Sequence, residues 1–170
     1  PGVTSKETGA TATARYLDGS GGTDWPGYGR TFGEQHYSPL AQIDRRTVGR
    51  LGLVSWYDIG PENSATQPIA VDGVVYFTTG MSVVRAVDVR TGKLLWTFDP
   101  EVGKYGGKEM RQQWGTRGIA WWKGRVYTGT VDGRLVAIDA KTGKEVWSVK
   151  TTQPGQFITG APRVFRNKVI

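Results

Sequence analysis

The residues that could do chemistry in this chain are few. There is one histidine, His36, and no cysteine, so disulfides cannot staple the fold and the redox compartment cannot be read from thiols. A lone imidazole in the turn-rich stretch around residue 36 reads as a structural hydrogen-bonder rather than a base. Arg117, in Thr116-Arg-Gly118, stands at the start of a predicted strand. Taken by itself it reads as half of a salt bridge, on the surface or between structural elements. Thr159, just ahead of Gly160-Ala-Pro162, reads by itself as a plain strand residue. The net charge of +7 comes from Lys and Arg spread through turns (Lys93, Lys123, Arg134, Lys144 and Lys168), with no basic run that interleaves aromatics. That pattern is a solvated surface and not a nucleic-acid face, although it could steer a small anionic ligand.

What must hold these side chains in place is written twice. Arg85-Ala-Val-Asp-Val-Arg-Thr-Gly-Lys-Leu-Leu-Trp96 returns as Val136-Ala-Ile-Asp-Ala-Lys-Thr-Gly-Lys-Glu-Val-Trp147, with Ala86 and Ala137, Asp88 and Asp139, and Trp96 and Trp147 each 51 residues apart. A fixed period of this size filled with short β-type runs marks the blades of a β-propeller. The fold class is therefore all-β. Asp72-Gly73, Lys123-Gly124 and Asp132-Gly133 are the turn signals between strands. The first blade reads as a hairpin within 68–79, then strands over 81–88 and 93–98. The second reads as strands over 118–122, 125–130, 135–139 and 144–149. A third begins at 160–165 and turns at Arg166-Asn167. Within the repeat, Asp88 and Asp139 are placed to accept backbone N–H bonds from the following turn. Gly92 and Gly143 suit a positive φ, and Ala86 and Ala137 permit close packing. Trp96 and Trp147 can fill the gap between blades while the indole N–H reaches a carbonyl.

Residues 1–24, rich in Gly, Ser and Thr, read as a flexible N-terminal extension. The chain begins at Pro1, which fits a processed product or an excised piece, and export through a removed signal is an expectation only. A lead-in segment follows over 25–56, with a short helix near 44–50 and a strand over 51–56. The blades are then expected at about 57–107 and 108–158, with a further blade starting at 159–170. A propeller closes on itself, and two to three blades do not close. The expectation is that other residues, of a longer polypeptide or of another chain, complete the ring. No apolar run approaches the length of a membrane span.

Trp25-Pro-x-Tyr-Gly-Arg, Glu34-Gln35 with Tyr37-Ser-Pro-Leu40, the two Ala-x-Asp-x-x-Thr-Gly-Lys-x-x-Trp repeats and Thr159-Gly-Ala-Pro162 together resemble one family. They are similar to the N-terminal third of the pyrroloquinoline-quinone (PQQ)-dependent alcohol dehydrogenases, eight-bladed propellers of the bacterial periplasm. The resemblance implies oxidation of a primary or secondary alcohol to an aldehyde or ketone, with electrons passed to PQQ and then to a cytochrome c-type acceptor. It also implies Ca2+ or a lanthanide beside the quinone. Matched position by position, Arg117 falls where the family has the Arg that hydrogen-bonds the redox-active quinone oxygens, and Thr159 where it has the Thr that binds a cofactor carboxylate. A guanidinium there would stabilise the negative charge of the reduced quinone through paired donors.

Two positions depart from the family. Its adjacent cysteines, which pack on the quinone face, are replaced by Arg111 and Gln112, so Gln112, Gln113 or Trp114 would take that place. Its Glu before the first full blade is replaced by Ala65, with Glu62 nearby only if the loop is realigned. The metal ligands and the catalytic Asp base of the family fall beyond residue 170, which implies that this chain alone is inactive. The departures leave a second reading open: a non-catalytic propeller scaffold resembling the lipoproteins of outer-membrane assembly.

Overall fold

The computed structural model describes residues 22–59, 66–106, 115–165 and 167–170. Ile69–Val71 (β1) and Val74–Thr78 (β2) pair antiparallel about Asp72-Gly73, whose φ values of 52° and 76° are those the tightest hairpin turn demands. Val84–Asp88 (β3) and Leu94–Phe98 (β4) complete a four-stranded sheet in the order β1-β2-β3-β4. The second sheet repeats this order with Ala120–Trp122 (β5), Arg125–Gly129 (β6), Arg134–Asp139 (β7) and Glu145–Lys150 (β8). Val164–Phe165 (β9) and Lys168–Val169 (β10) pair as the start of a third. A five-residue helix, Val102–Gly106 (α1), lies between the first two sheets in sequence.

The 51-residue period extends to the hydrogen-bond register. Tyr76 faces Ala86 and Ala86 faces Trp96; Tyr127 faces Ala137 and Ala137 faces Trp147, with a bulge directly after the alanine in both sheets. Ala86 and Ala137 are fully buried, so each leaves room for the aromatic pair beside it. The inner faces of both sheets meet in a shared core that includes Ile69, Val84, Ile119, Trp121, Val126, Val136 and Ile138. Trp96 closes the outer end of this seam. Its indole N–H donates to the Ala140 carbonyl of the second sheet at 3.0 Å. A methyl group on Gly143, whose φ is 71°, would come within 2.7 Å of the same ring. Only a glycine backbone lets the ring lie this close, and burying such a side chain is worth about 2–3 kcal/mol.

The structure differs from expectation in the lead-in segment and at one strand of the first blade. The helix expected near 44–50 is a single 3-10 turn, Val48–Arg50. Asp44 Oδ1 accepts from the amides of Arg46 and Thr47, and Thr47 Oγ1 accepts from the Asp44 amide and donates to the Gln42 carbonyl. These side-chain bonds satisfy the backbone groups a helix would have used. Residues 51–56 are not a strand, because no neighbouring strand pairs with them among the described residues. In the first blade the strand expected over 81–88 begins only at Val84, since Gly80–Ser82 forms a tight turn with Met81 and Ser82 at positive φ. Most of the expected 1–24 extension lies outside the described residues.

Candidate functional site

Three sheets begin side by side. The amide of Gln67 donates to the Arg117 carbonyl at 3.0 Å, and the amide of Arg117 donates to the Thr159 carbonyl at 2.9 Å. Gln67 and Gly118 form a parallel bridge. Residues at the innermost ends of successive blades are thus laced to one another by backbone bonds, and Arg117 sits between the other two. Close approach requires small residues here: a methyl group on Gly118 would stand 3.0 Å from the Ala161 side chain. Arg117 is exposed, and the described residues offer it no carboxylate. Thr159 is half-buried.

Behind this row lies a layer of buried hydroxyls. Thr78 Oγ1 donates to the Thr116 carbonyl and reaches Thr66 Oγ1, both at 2.9 Å, and Thr116 and Thr128 share a hydrogen bond at 3.4 Å. A β-branched residue fills space on a pleated sheet, and its hydroxyl ties adjacent strand ends together.

The lead-in segment packs along the same inner edges. Trp25 exchanges backbone bonds with Ala70 in β1, Pro26 accepts from the Trp121 amide in β5, and Gln67 Nε2 donates to the Tyr28 carbonyl. Arg163, next to β9, pairs with Glu34, lies 4.1 Å over the Tyr28 ring and donates to the Ala161 carbonyl at 2.9 Å. His36 presents its ring edge-on to Tyr28 at 5.4 Å and is exposed, which suits a packing role.

Of the residues singled out from sequence, Arg117 and Thr159 are brought together. Gln112 lies outside the described residues, as do Arg111, Gln113, Trp114, Ala65 and Glu62. Gln67 was missed, because its part is played by its backbone and by an amide that reaches the lead-in segment. The turn residues Asp132 and Arg134 were missed as well. Arg117 offers an exposed guanidinium and Thr159 a hydroxyl, donor types suited to an anion that carries several carboxylates and carbonyl oxygens, which is the chemistry of PQQ. The chemistry of these two donors is compatible with a quinone of that kind. Among the described residues there is no group of three or more His, Cys, Asp or Glu that could hold a metal ion, and no helix is long and apolar enough to cross a membrane.

The family described as PQQ glucose/ethanol/alcohol dehydrogenase, β-propeller domain, matches residues 25–152. The chain belongs to this family. As a PQQ-family propeller it has relatives among named alcohol dehydrogenases. It is 47% identical over 153 residues to the 1-butanol dehydrogenase (cytochrome c) of Thauera butanivorans, covering 88% of this chain and 22% of that protein. Its fold is similar to the solved quinohemoprotein alcohol dehydrogenase ADHIIG of Pseudomonas putida HK5, with a TM-score of 0.82 and 45% identity, over 92% of this chain and 24% of that one. A europium-containing methanol dehydrogenase is similar at a TM-score of 0.77 and 28% identity, over 86% of this chain and 27% of that one. The chain therefore spans about a quarter or less of the length of the relatives it matches.

Proposed function

We propose that this chain contributes the lead-in segment (25–56), two blades (about 57–107 and 108–158) and the start of a further blade (159–170) to the eight-bladed propeller of a quinoprotein alcohol dehydrogenase. The observation that supports this reading is the backbone bond from the Arg117 amide to the Thr159 carbonyl, which joins the starts of two successive blades at the two positions the family resemblance singles out. The quinone, when bound, supplies a two-electron acceptor for oxidation of an alcohol to an aldehyde or ketone. Arg117 binds and orients it through paired N–H donors on its anionic oxygens, and Thr159 holds a carboxylate through its hydroxyl. Gln112 is proposed to contact the same group in place of the family's cysteine pair.

The remaining partners belong to the whole protein. Ca2+ or a lanthanide is proposed to sit beside the quinone, with ligands mostly outside this chain; the europium-containing neighbour supports a metal in the same fold. A cytochrome c-type acceptor is supported by the name of the Thauera relative. The periplasm is proposed as the compartment, in keeping with the family resemblance.

The test is titration of the full-length protein with PQQ in the presence of Ca2+ or a lanthanide, followed by alcohol-dependent dye reduction. Binding and reduction are expected. Arg117→Ala should weaken PQQ binding at least tenfold, about 1.4 kcal/mol, since a charge-assisted bond contributes that much or more. A full-length protein that neither binds PQQ nor reduces the dye would leave the scaffold reading in its place.

A further inference from the structure

The turn between β6 and β7 holds a buried ion pair that the blade repeat does not account for. Asp132 and Arg134 have side chains only 1% and 10% exposed, and they meet through Nη2 at 2.7 Å and Nε at 2.8 Å. Thr130 Oγ1 donates to the other carboxylate oxygen and accepts from the Arg134 amide at 3.0 Å. The equivalent turn of the first sheet, 51 residues earlier, has Met81 and Val83 at the two charged positions. Both turns are closed by the same backbone bond, Thr79 to Val83 and Thr130 to Arg134, each 2.8 Å. A turn closed by the same bond forms there without the charges, though with Met81 and Ser82 at positive φ in place of Gly133 alone, and a buried ion pair adds little to stability over apolar residues of similar size. What the pair adds is a set of fixed contacts.

Those contacts run to two connections. Arg134 Nη2 donates to the Pro100 carbonyl, and its guanidinium lies 4.0 Å over the Tyr105 ring, fixing the connection that contains α1. The turn's own carbonyls hold the connection from β8 to Thr159. Asp132 accepts from Lys150 Nζ, Gly133 accepts from the Thr151 amide at 3.0 Å and from Thr152 Oγ1 at 3.3 Å, and Thr130 accepts from the Ile158 amide at 3.2 Å. The next residue is Thr159, held from its other side by the Arg117 amide.

We infer that Asp132 and Arg134 are positioning residues that set Thr159, through the Thr130–Ile158 bond, at the distance from Arg117 needed to grip one polyanionic quinone from two sides. This rests on the functional reading given above. Arginine is required because its planar fork spans Asp132 and the Pro100 carbonyl together, which a lysine ammonium does not.

The experiment is a double-mutant cycle on PQQ affinity in the full-length protein, combining R134K with T159A, and G133A with T159A. Gly133 has a φ of 83°, and a methyl group there would meet Thr152 Oγ1 at 1.9 Å, so G133A displaces the same connection while both charged side chains remain. Each single variant is expected to weaken PQQ binding about tenfold. Added to T159A, neither R134K nor G133A should weaken it more than about twofold, because coupled sites do not add. Unchanged binding by R134K and G133A, or an equal loss in both backgrounds, overturns the inference while leaving the parent's PQQ binding intact. A parent that does not bind PQQ overturns the functional reading itself.

Discussion

Asp88 Oδ1 accepts from the amides of Arg90 and Thr91 and from the Thr91 hydroxyl, and Asp139 does the same with Lys141 and Thr142. The Thr91 amide bond leads in holding the Asp88 carboxyl below its usual value, and the Thr142 hydroxyl bond leads at Asp139. A depressed carboxyl contributes stability that is complete above the ordinary value of 3.8 and is lost as the pH falls through the lower folded-state value. The double variant D88N/D139N should therefore flatten the loss of thermal stability between neutral pH and pH 3, measured as Tm against pH. At Gly143 the two penalties of a positive φ and a crowded ring combine. Gly143→Ala should cost roughly 2–3 kcal/mol, whereas Gly92→Ala, with only Ser55 at 3.6 Å, should cost roughly 1 kcal/mol. Denaturant melts of the two variants check the difference. Both roles were legible in the repeat, since Asp, Thr and Gly at fixed offsets describe one turn. Asp132 and Arg134 were not, because their significance lies in carbonyls supplied by distant segments.

The lead-in segment shows what a pattern-based reading cannot reach at the level of elements. Strand order, hairpin turns and the Trp seam followed from local sequence. The course of residues 24–37 did not, since it is fixed by single bonds to β1, β5 and Arg163 rather than by any periodicity. The same reason undid the expected helix at 44–50, where Asp44 and Thr47 captured the backbone donors. Phe32 pins this segment from one side, 6.2 Å from Trp122 and 5.3 Å edge-on to Phe165. Phe32→Ala should cost about 1–2 kcal/mol and release the segment before the blades unfold. Limited proteolysis should then cut within 22–40 first, with the β-sheet circular dichroism unchanged. Cleavage appearing only with loss of the sheet signal would mean that segment and blades open as one unit.

At the scale of the molecule, the apolar surface is unevenly placed. Leu53, Val54 and Trp56 are 84%, 96% and 76% exposed, in a stretch that no strand covers among the described residues. Exposed contiguous apolar residues beside sheet edges promote association. Residues 1–170 expressed by themselves should bind a hydrophobic dye and self-associate on size-exclusion chromatography, and the full-length protein should do neither. The blade plan of this arrangement was legible because six residues recur at a 51-residue spacing within a twelve-residue stretch. The exposure of 51–56 was not, since its apolar residues read locally as a strand.

The seating of Trp96 on Gly143 and Ala140 also orders events in time. The indole of one blade finds its seat only on the next, 44 to 47 residues further along the chain. During synthesis at about 5–20 residues per second, the first blade therefore waits roughly 2–10 s with Trp96 bare. Ribosome pausing within that interval would lengthen the exposure of a sticky ring, and a run of slow codons ahead of Gly143 would be felt as aggregation of nascent chains rather than as instability of the finished protein.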